Sequence, residues 1–539
     1  MKRVALLVLA LSSATALGAD SRYAQFTKKY EKAPDQAKVV AAGYLGSGGT
    51  EWLAGGGFQP DGTVVVAGTS LGPTLDIGTA KAVVLGKDGP APSAYKPQPL
   101  LDAKGVEQKN KDGTPKFKDV AWTDPAATAF VVRLSGDMKT VKSVSRFPWK
   151  AGGVTSAAVD ADGNIYLTGL AADGIASVGG DVKELKAAAG GPKTAAVART
   201  YLAKLNPDAS KVLWLRHITA PSNAPEVTLT ADGKVKFTGP DVHTFTPDGK
   251  EEAAVVVPFA LGRRTAISPK DGTIARGGQT VNWHTGREPY RDPFLHVHKP
   301  DGKLKYELYH WDGPLVGLDN LRLVSDSELR LVKYDDDSNL IVYAWSDGGN
   351  SVMYREPFDV RTSAKEFKGL GMSAWGAGVL SCAYIIKLDP KDYKVLGGTL
   401  WLAYLNDKDK PNSIWLDSLG FAGDGSVCVG GKSAFGLVET GNKLNPGDPT
   451  GPYVAVFNKD YTSLRFSSAL PATSKVDVGE NGRWQFVRGT RNGRPCVLCL
   501  GSAGDKDDKG QSAPGTDAAL AKFGGGASDG YFLLLDLGK

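Results

Sequence analysis

The chain has 539 residues, 67 of them glycine and 31 proline, with 64 basic and 58 acidic side chains for a net charge of +6. That many turn-formers argue against a helical bundle and for many short strands. A near-balanced charge with no concentrated basic face argues against a nucleic-acid partner.

The chain begins MKRVALLVLALSSATALGAD. Lys2 and Arg3 precede an apolar run from Val4 to Leu11, and small residues follow, with Ala16 and Gly18, or Ala19, at the cleavage position. This is the order of a secretory signal peptide, placed at residues 1–19. The run is far shorter than the ~20 apolar residues of a membrane span, and no other stretch could serve as one. The expectation is an exported chain with no transmembrane segment. Residues 20–37 form an N-terminal linker, and 38–539 hold the folded domain.

From there one pattern recurs. FQPDGTVVVAG starts at Phe58, and SAAVDADGNIYLTGL spans 156–170. LTADGKVKFTG starts at Leu229, ISPKDGTIARGG at Ile267 and FAGDGSVCVGG at Phe421. Two copies are degraded, YDDDSNLIVYA from Tyr334 and VRGTRNGRPCVLCLG from Val487. Two apolar runs around an Asp/Asn/Gly corner read as a β-hairpin. A second element alternates with it: TAFVVRLSGD from Thr128, TYLAKLNPD from Thr200, VHTFTPDG from Val242 and FLHVHKPDG from Phe294. It continues as AYIIKLDPKD from Ala383, YVAVFNKD from Tyr453 and YFLLLDLGK from Tyr531. All but the last are followed by a further apolar run. Each unit therefore has four strands, A to D, and four-stranded units in a ring are a β-propeller. The expected fold is all-β: a seven-bladed β-propeller of antiparallel blades. The missing last D strand is supplied by KVVAAGYLG from Lys38, which completes blade 7 and closes the ring. Two tandem smaller β-domains are the alternative, and they leave both chain ends unpaired.

AVDADGNIYLTG followed by TYLAKLNPD, and the Thr128 copy, resemble the beta-propeller repeats of bacterial secreted and cell-surface proteins, the SBBP type. The resemblance covers about half the chain and is clearest in blades 1, 2 and 6. It implies a propeller and export, and it carries over no catalytic residues.

A propeller blade needs about 40–50 residues, and this chain spends roughly 70 on each. The surplus falls between strands B and C, at 71–127, 171–199, 278–293, 346–381, 432–451 and 501–530. In an up-and-down blade the B–C and D–A connections emerge together, so the inserts are expected to crowd one face, where binding usually resides. DVKELKAAAG from Asp181 reads as a short helix, and 502–530 as a flexible Gly/Ser-rich loop.

The densest polar stretch is NWHTGREPYRDPF. It holds Glu288, and its Trp283, His284, Arg287, Tyr290, Arg291 and Asp292, with Asp347 and Asn350 of the next insert, are the candidate ligand-binding residues. Arg forks pair carboxylates and phosphates, and aromatic faces suit a sugar or a peptide. The competing reading is a loop stapled by its own Arg–Asp pairs. His296 and His298 share a strand face, but His284 and His310 do not converge with them, so no metal site is assigned. Asp335–Asp337 lacks the spaced ligand pattern of a calcium loop. Cys496 and Cys499 lie on a strand-like run, pointing to opposite faces, which suits buried thiols better than a redox or zinc pair. Cys382 and Cys428 complete the set, and no cofactor is implied. Nucleophile elbows, HExxH and P-loops are absent. The functional expectation is a module that binds an envelope or extracellular protein, or a glycan, through its loop-rich face. A propeller hydrolase or lyase acting on a polysaccharide, or a purely structural envelope protein, are the alternatives.

Overall fold

A computed structural model describes residues 30, 36–93, 99–109, 126–185, 197–221, 225–239, 241–256, 264–281, 291–309, 325–367, 381–408, 410–473, 484–507, 509–516, 520 and 522–538. The signal-peptide reading of residues 1–19 lies outside them.

The strands form a seven-bladed β-propeller. Blade 1 is Glu51–Phe58, Val64–Ser70, Thr128–Leu134 and Val141–Arg146, and blade 2 is Val154–Val159, Ile165–Leu170, Val197–Leu205 and Val212–Pro221. Blade 3 is Glu226–Leu229, Val235–Thr238, Asp241–Phe245 and Glu251–Val256, and blade 4 is Thr265–Ile267, Ile274–Val281, Arg291–His298 and Leu304–Leu308. Blade 5 is Ser327–Tyr334, Leu340–Ser346, Cys382–Leu388 and Val395–Trp401, and blade 6 is Ile414–Phe421, Val427–Ser433, Gly451–Phe457 and Leu464–Ala469. Blade 7 is Gln485–Arg491, Arg494–Ala503, Asp529–Asp536 and, as its D strand, Lys38–Leu45. The ring closes as the sequence predicts, with Lys38 opposite Asp536 and Leu45 opposite Gly530 in an antiparallel ladder.

The corners follow from the side chains at them. In blade 2, Asp160 Oδ1 accepts the backbone N–H of Asp162 at 3.0 Å and of Asn164 at 2.8 Å, and Gly163 takes φ 83°. A short acceptor that mimics a carbonyl, followed by a left-handed glycine, makes the reversal local. The degraded blade 5 copy keeps the acceptor: Asp335 Oδ1 takes Asp337 N–H at 3.0 Å and Asn339 N–H at 2.8 Å, while Ser338 stands at φ 62° in place of glycine.

Each sheet buries its faces against its neighbours, as a stack of incomplete units must. One apolar cluster joins blades 4, 5 and 6 around Trp401, Tyr343, Tyr384 and Phe457, and smaller ones join 6 to 7, 7 to 1, 1 to 2 and 2 to 3. All four cysteines lie on strands, buried and free. Tyr30, within the stretch read as a linker, is fully buried in the blade 5–6 cluster, where its hydroxyl meets Thr399 Oγ1 at 2.5 Å and the Tyr461 carbonyl at 3.1 Å.

The inserts depart from expectation. Among the described residues, the inserts of blades 1, 2, 5, 6 and 7 leave from one face but do not stay on it. In blade 1, Ala80–Val84 runs parallel to the D strand, with Ala82 opposite Val144. In blade 2, Asp181–Leu185 does the same, with Asp181 opposite Trp214. This is a strand where a helix was expected; residues 186–190 of that reading lie outside the described ones. The blade 5 insert lays Phe367 over its D strand, where a Cβ on Gly398 would come 2.8 Å from the ring. In blade 6, Glu439 Oε1 accepts the Ala469 N–H at 3.0 Å. In blade 7, the Tyr44 N–H meets the Leu520 carbonyl at 2.6 Å and the Ala42 N–H meets Thr516 Oγ1 at 2.8 Å. The physical reason is the edge problem: a D strand presents unpaired N–H and C=O groups outward, and covering them prevents pairing with another chain.

Candidate functional site at the seam of blades 4 and 5

Of the predicted residues, Trp283, His284, Arg287 and Tyr290 lie outside the described residues, as do Glu288 and His310. Arg291 and Asp292 are strand rather than insert: strand B of blade 4 runs on to Val281, which pairs with Arg291, and Thr280 pairs with Asp292. The extended ladder holds both side chains at the mouth of the C strand.

Blade 5 meets them there. Asp326, in the link that enters its A strand, accepts the Arg291 N–H on Oδ1 at 3.0 Å, and the Arg291 Nε lies 4.0 Å from Oδ2. The Asp326 carbonyl accepts the Asp347 N–H at 3.1 Å. Asn350 is buried and takes the Ser325 hydroxyl on its Oδ1. Gly348 is required beside it, since a Cβ there would stand 2.4 Å from Ser325 Oγ. The fold thus brings Arg291, Asp292, Asp347 and Asn350 into one neighbourhood and adds residues that sequence reasoning passed over. Trp345, at the end of strand B, has the Arg330 guanidinium 4.6 Å and the Arg291 guanidinium 5.9 Å from its ring centre. Arg330 Nε is 3.0 Å from Glu328 Oε2, and Arg264 pairs with the same carboxylate. Glu328 and Arg330 sit in the A strand of blade 5; a bulge between Leu329 and Leu331 turns Arg330 out of the ladder. That charged pair inside an apolar strand was the available signal.

The electrostatics follow from crowding. Burial, and then the Asp326 carboxylate, push Asp292 up to about 7. The same two causes, in the same order, raise Asp347. Asp326 crowds both Asp292 and Asp347 and meets Arg291, whose guanidinium lies beside Trp345; such a group can accept hydrogen bonds from hydroxyls and hold a proton on Asp292 near neutrality.

The other candidates resolve differently. His296 and His298 share a face, with ring centres 6.1 Å apart; His298 Nδ1 lies 3.1 Å from the Gly302 carbonyl and His296 Nε2 lies 3.7 Å from Glu307. The Asp335–Asp337 run is taken up by ion pairs, Asp335 with Lys387 at 2.9 Å, Asp337 with Lys270 at 3.3 Å, and Asp336 with Arg488 of blade 7. Burial pushes the Cys496 thiol up to about 12 and raises Cys499 further, the reverse of an activated thiol. The ring axis holds a cavity of about 620 Å³, lined by Gly55, Glu226, Thr228, Lys333, Gln485 and Arg488 among others.

A second acidic pair was not anticipated. Glu51 opens the A strand of blade 1 and Asp529 opens the C strand of blade 7, and both are fully buried. Burial, with the Asp529 carboxylate next, pushes Glu51 up to about 8; burial pushes Asp529 up to about 7. Neither residue stood out in sequence, because each is a lone acid beside a glycine run.

No family model and no curated protein matches the sequence. Among solved structures the chain is similar to the Dos1 propeller, at 7% identity and a TM-score of 0.35, over 93% of this chain and 95% of that one. It is also similar to a protein of unknown function from Dyadobacter fermentans DSM 18053, at 10% identity and a TM-score of 0.34, over 93% of this chain and 99% of that one.

Proposed function

We propose that the protein is an exported propeller of the SBBP type that binds a glycan at the seam of blades 4 and 5. The observation that carries this is the gathering of Asp292 and Asp347 about Asp326, with Arg291 reaching from Asp326 to the Trp345 ring. Carboxylates and guanidiniums bond sugar hydroxyls, an indole offers a flat apolar face, and the blade ladders fix Arg291, Asp292 and Trp345. Export rests on the basic, apolar and small-residue order of residues 1–19. The partner is an extracellular or envelope glycan; an envelope protein is the other partner the same face fits.

The test is capture by the mature chain on a glycan panel and on envelope proteins, beside an Arg291→Ala, Asp326→Asn variant checked for folding. Glycan capture lost in the variant supports the reading. Protein capture alone replaces the glycan, and capture unchanged in the variant moves the site elsewhere.

A second reading has its own observation. Asp292 is pushed up to about 7 beside another carboxylate, the environment of a general acid next to a base or nucleophile. On this reading the protein hydrolyses a polysaccharide, and Asp292→Asn, checked for folding, abolishes release of reducing ends.

A further inference from the structure

Blades 7 and 1 meet where the two ends of the folded domain meet. Two glycine-rich loops interlock there, residues 46–49 and 524–526. Their approach is backbone on backbone: a Cβ on Gly526 would fall 1.5 Å from the Gly49 carbonyl oxygen, and one on Gly524 would lie 3.1 Å from the Gly46 carbonyl oxygen. Glu51 N–H donates to the Ser528 carbonyl at 2.8 Å, Ser528 Oγ donates to the Glu51 carbonyl at 3.1 Å, and Ala527 N–H donates to Thr50 Oγ1 at 3.2 Å. The glycines also make room for the acids. A Cβ on Gly46 would stand 2.4 Å from Asp529 Oδ1, and one on Gly49 would stand 2.4 Å from Glu51 Oε1.

The donors do not suffice for the charge. Glu51 Oε1 takes the Ser70 hydroxyl at 2.8 Å, with Ser47 Oγ at 3.4 Å, and its Oε2 takes the Ser47 N–H at 3.3 Å. Ser47 Oγ also reaches the Thr74 carbonyl at 2.9 Å. Asp529 Oδ2 takes the Gly524 N–H at 2.5 Å, and Asp529 Oδ1, fully buried, has no hydrogen-bond partner among the described residues. Among the described residues no Lys, Arg or His pairs with either carboxylate. Two buried carboxylates without a counter-charge, one with an orphaned oxygen, are costly in a dry seam.

We propose that this seam binds one calcium ion, held by Glu51 and Asp529 and clamping the ends of the ring together. The donor set contains only oxygen, which selects a hard cation. No three His, Cys, Asp or Glu side chains cluster among the described residues. Beside the two carboxylates the seam offers the Ser47 and Ser70 hydroxyls at Glu51, and water would complete the sphere. A large, irregular, oxygen-rich coordination sphere is what calcium accepts and magnesium resists. An ion that binds only the closed ring stabilises it by mass action.

The experiment uses the full mature chain after chelator treatment. Calcium is titrated in by calorimetry at neutral pH, with thermal unfolding followed in parallel and magnesium as the comparison. One calcium per chain, a raised melting temperature, and no such rise with magnesium are expected. Glu51→Gln and Asp529→Asn, near-isosteric and neutral, remove both the binding and the rise. Absence of stoichiometric binding to the wild type overturns the proposal, as does a calcium effect that survives in both variants or is matched by magnesium. The titration of the wild type decides even if the variants fail to fold, and it is independent of glycan capture at blades 4 and 5.

Discussion

The junction of blades 5 and 6 and the junction of blades 3 and 4 are built by the same repeat and held very differently. Between blades 5 and 6, Trp401 packs edge-on against Phe457 with ring centres 5.1 Å apart and against Tyr30 at 6.0 Å, and inserts cover both outer strands. Between blades 3 and 4, among the described residues, the apolar cluster is Val242, Ile274 and the half-buried Ile267. The A strands there are short, Glu226–Leu229 and Thr265–Ile267. Blade 3 has no insert, and its outer strand leaves Val255 exposed. Stability in a ring of repeats is a sum of local interfaces, so the ring is unevenly strong. The candidate site lies on blade 4, on the side facing the strong half.

Four changes test that contrast. Trp401→Ala has the largest expected effect, a loss of about 3–5 kcal/mol in denaturant unfolding, because the surrounding aromatics cannot collapse into the space; a loss no larger than that of a surface substitution would break the contrast. Next, the Asp292 carboxyl sits at about 7 in the folded chain against an ordinary 3.8. A folded value raised in this way gives stability that is full below about 4 and is lost as pH rises through 7. The melting temperature of the wild type therefore falls over that window more steeply than that of Asp292→Asn, and parallel curves would remove the carboxylate crowding from the account. Tyr30→Phe strands Thr399 Oγ1 and the Tyr461 carbonyl inside the strong junction, at about 1–2 kcal/mol by chemical denaturation. Val242→Ala at the weak junction costs least, about 1 kcal/mol. Amide exchange should show blades 3 and 4 opening before blades 5 and 6 in the wild type; equal protection across the ring would show that it unfolds as one unit.

Much of the architecture was legible because its determinants are local. An Asp that caps its own turn and a glycine at positive φ declare a corner within a few residues, and even the DDDS and TRNG copies kept enough of that chemistry to be counted. The candidate site was legible only in part. Arg291, Asp292, Asp347 and Asn350 stood out as polar residues in inserts, yet Asp326, Glu328, Arg330 and Trp345 did not. Their importance comes from which blade faces which, and from a bulge that re-aims Arg330.

The sequence by itself determined the strand units, their number and the closing of blade 7 by the N-terminal strand, because hydrophobic alternation and turn chemistry act over neighbouring residues. Tertiary structure alone decided where the inserts went and which acids met. The described inserts of blades 1, 2, 6 and 7 turned outward to cover strand edges whose unpaired groups exist only once the sheets have formed. Glu51 and Asp529, at opposite ends of the domain, became neighbours only when the ring closed, and their charge became costly only when the glycine loops shut water out.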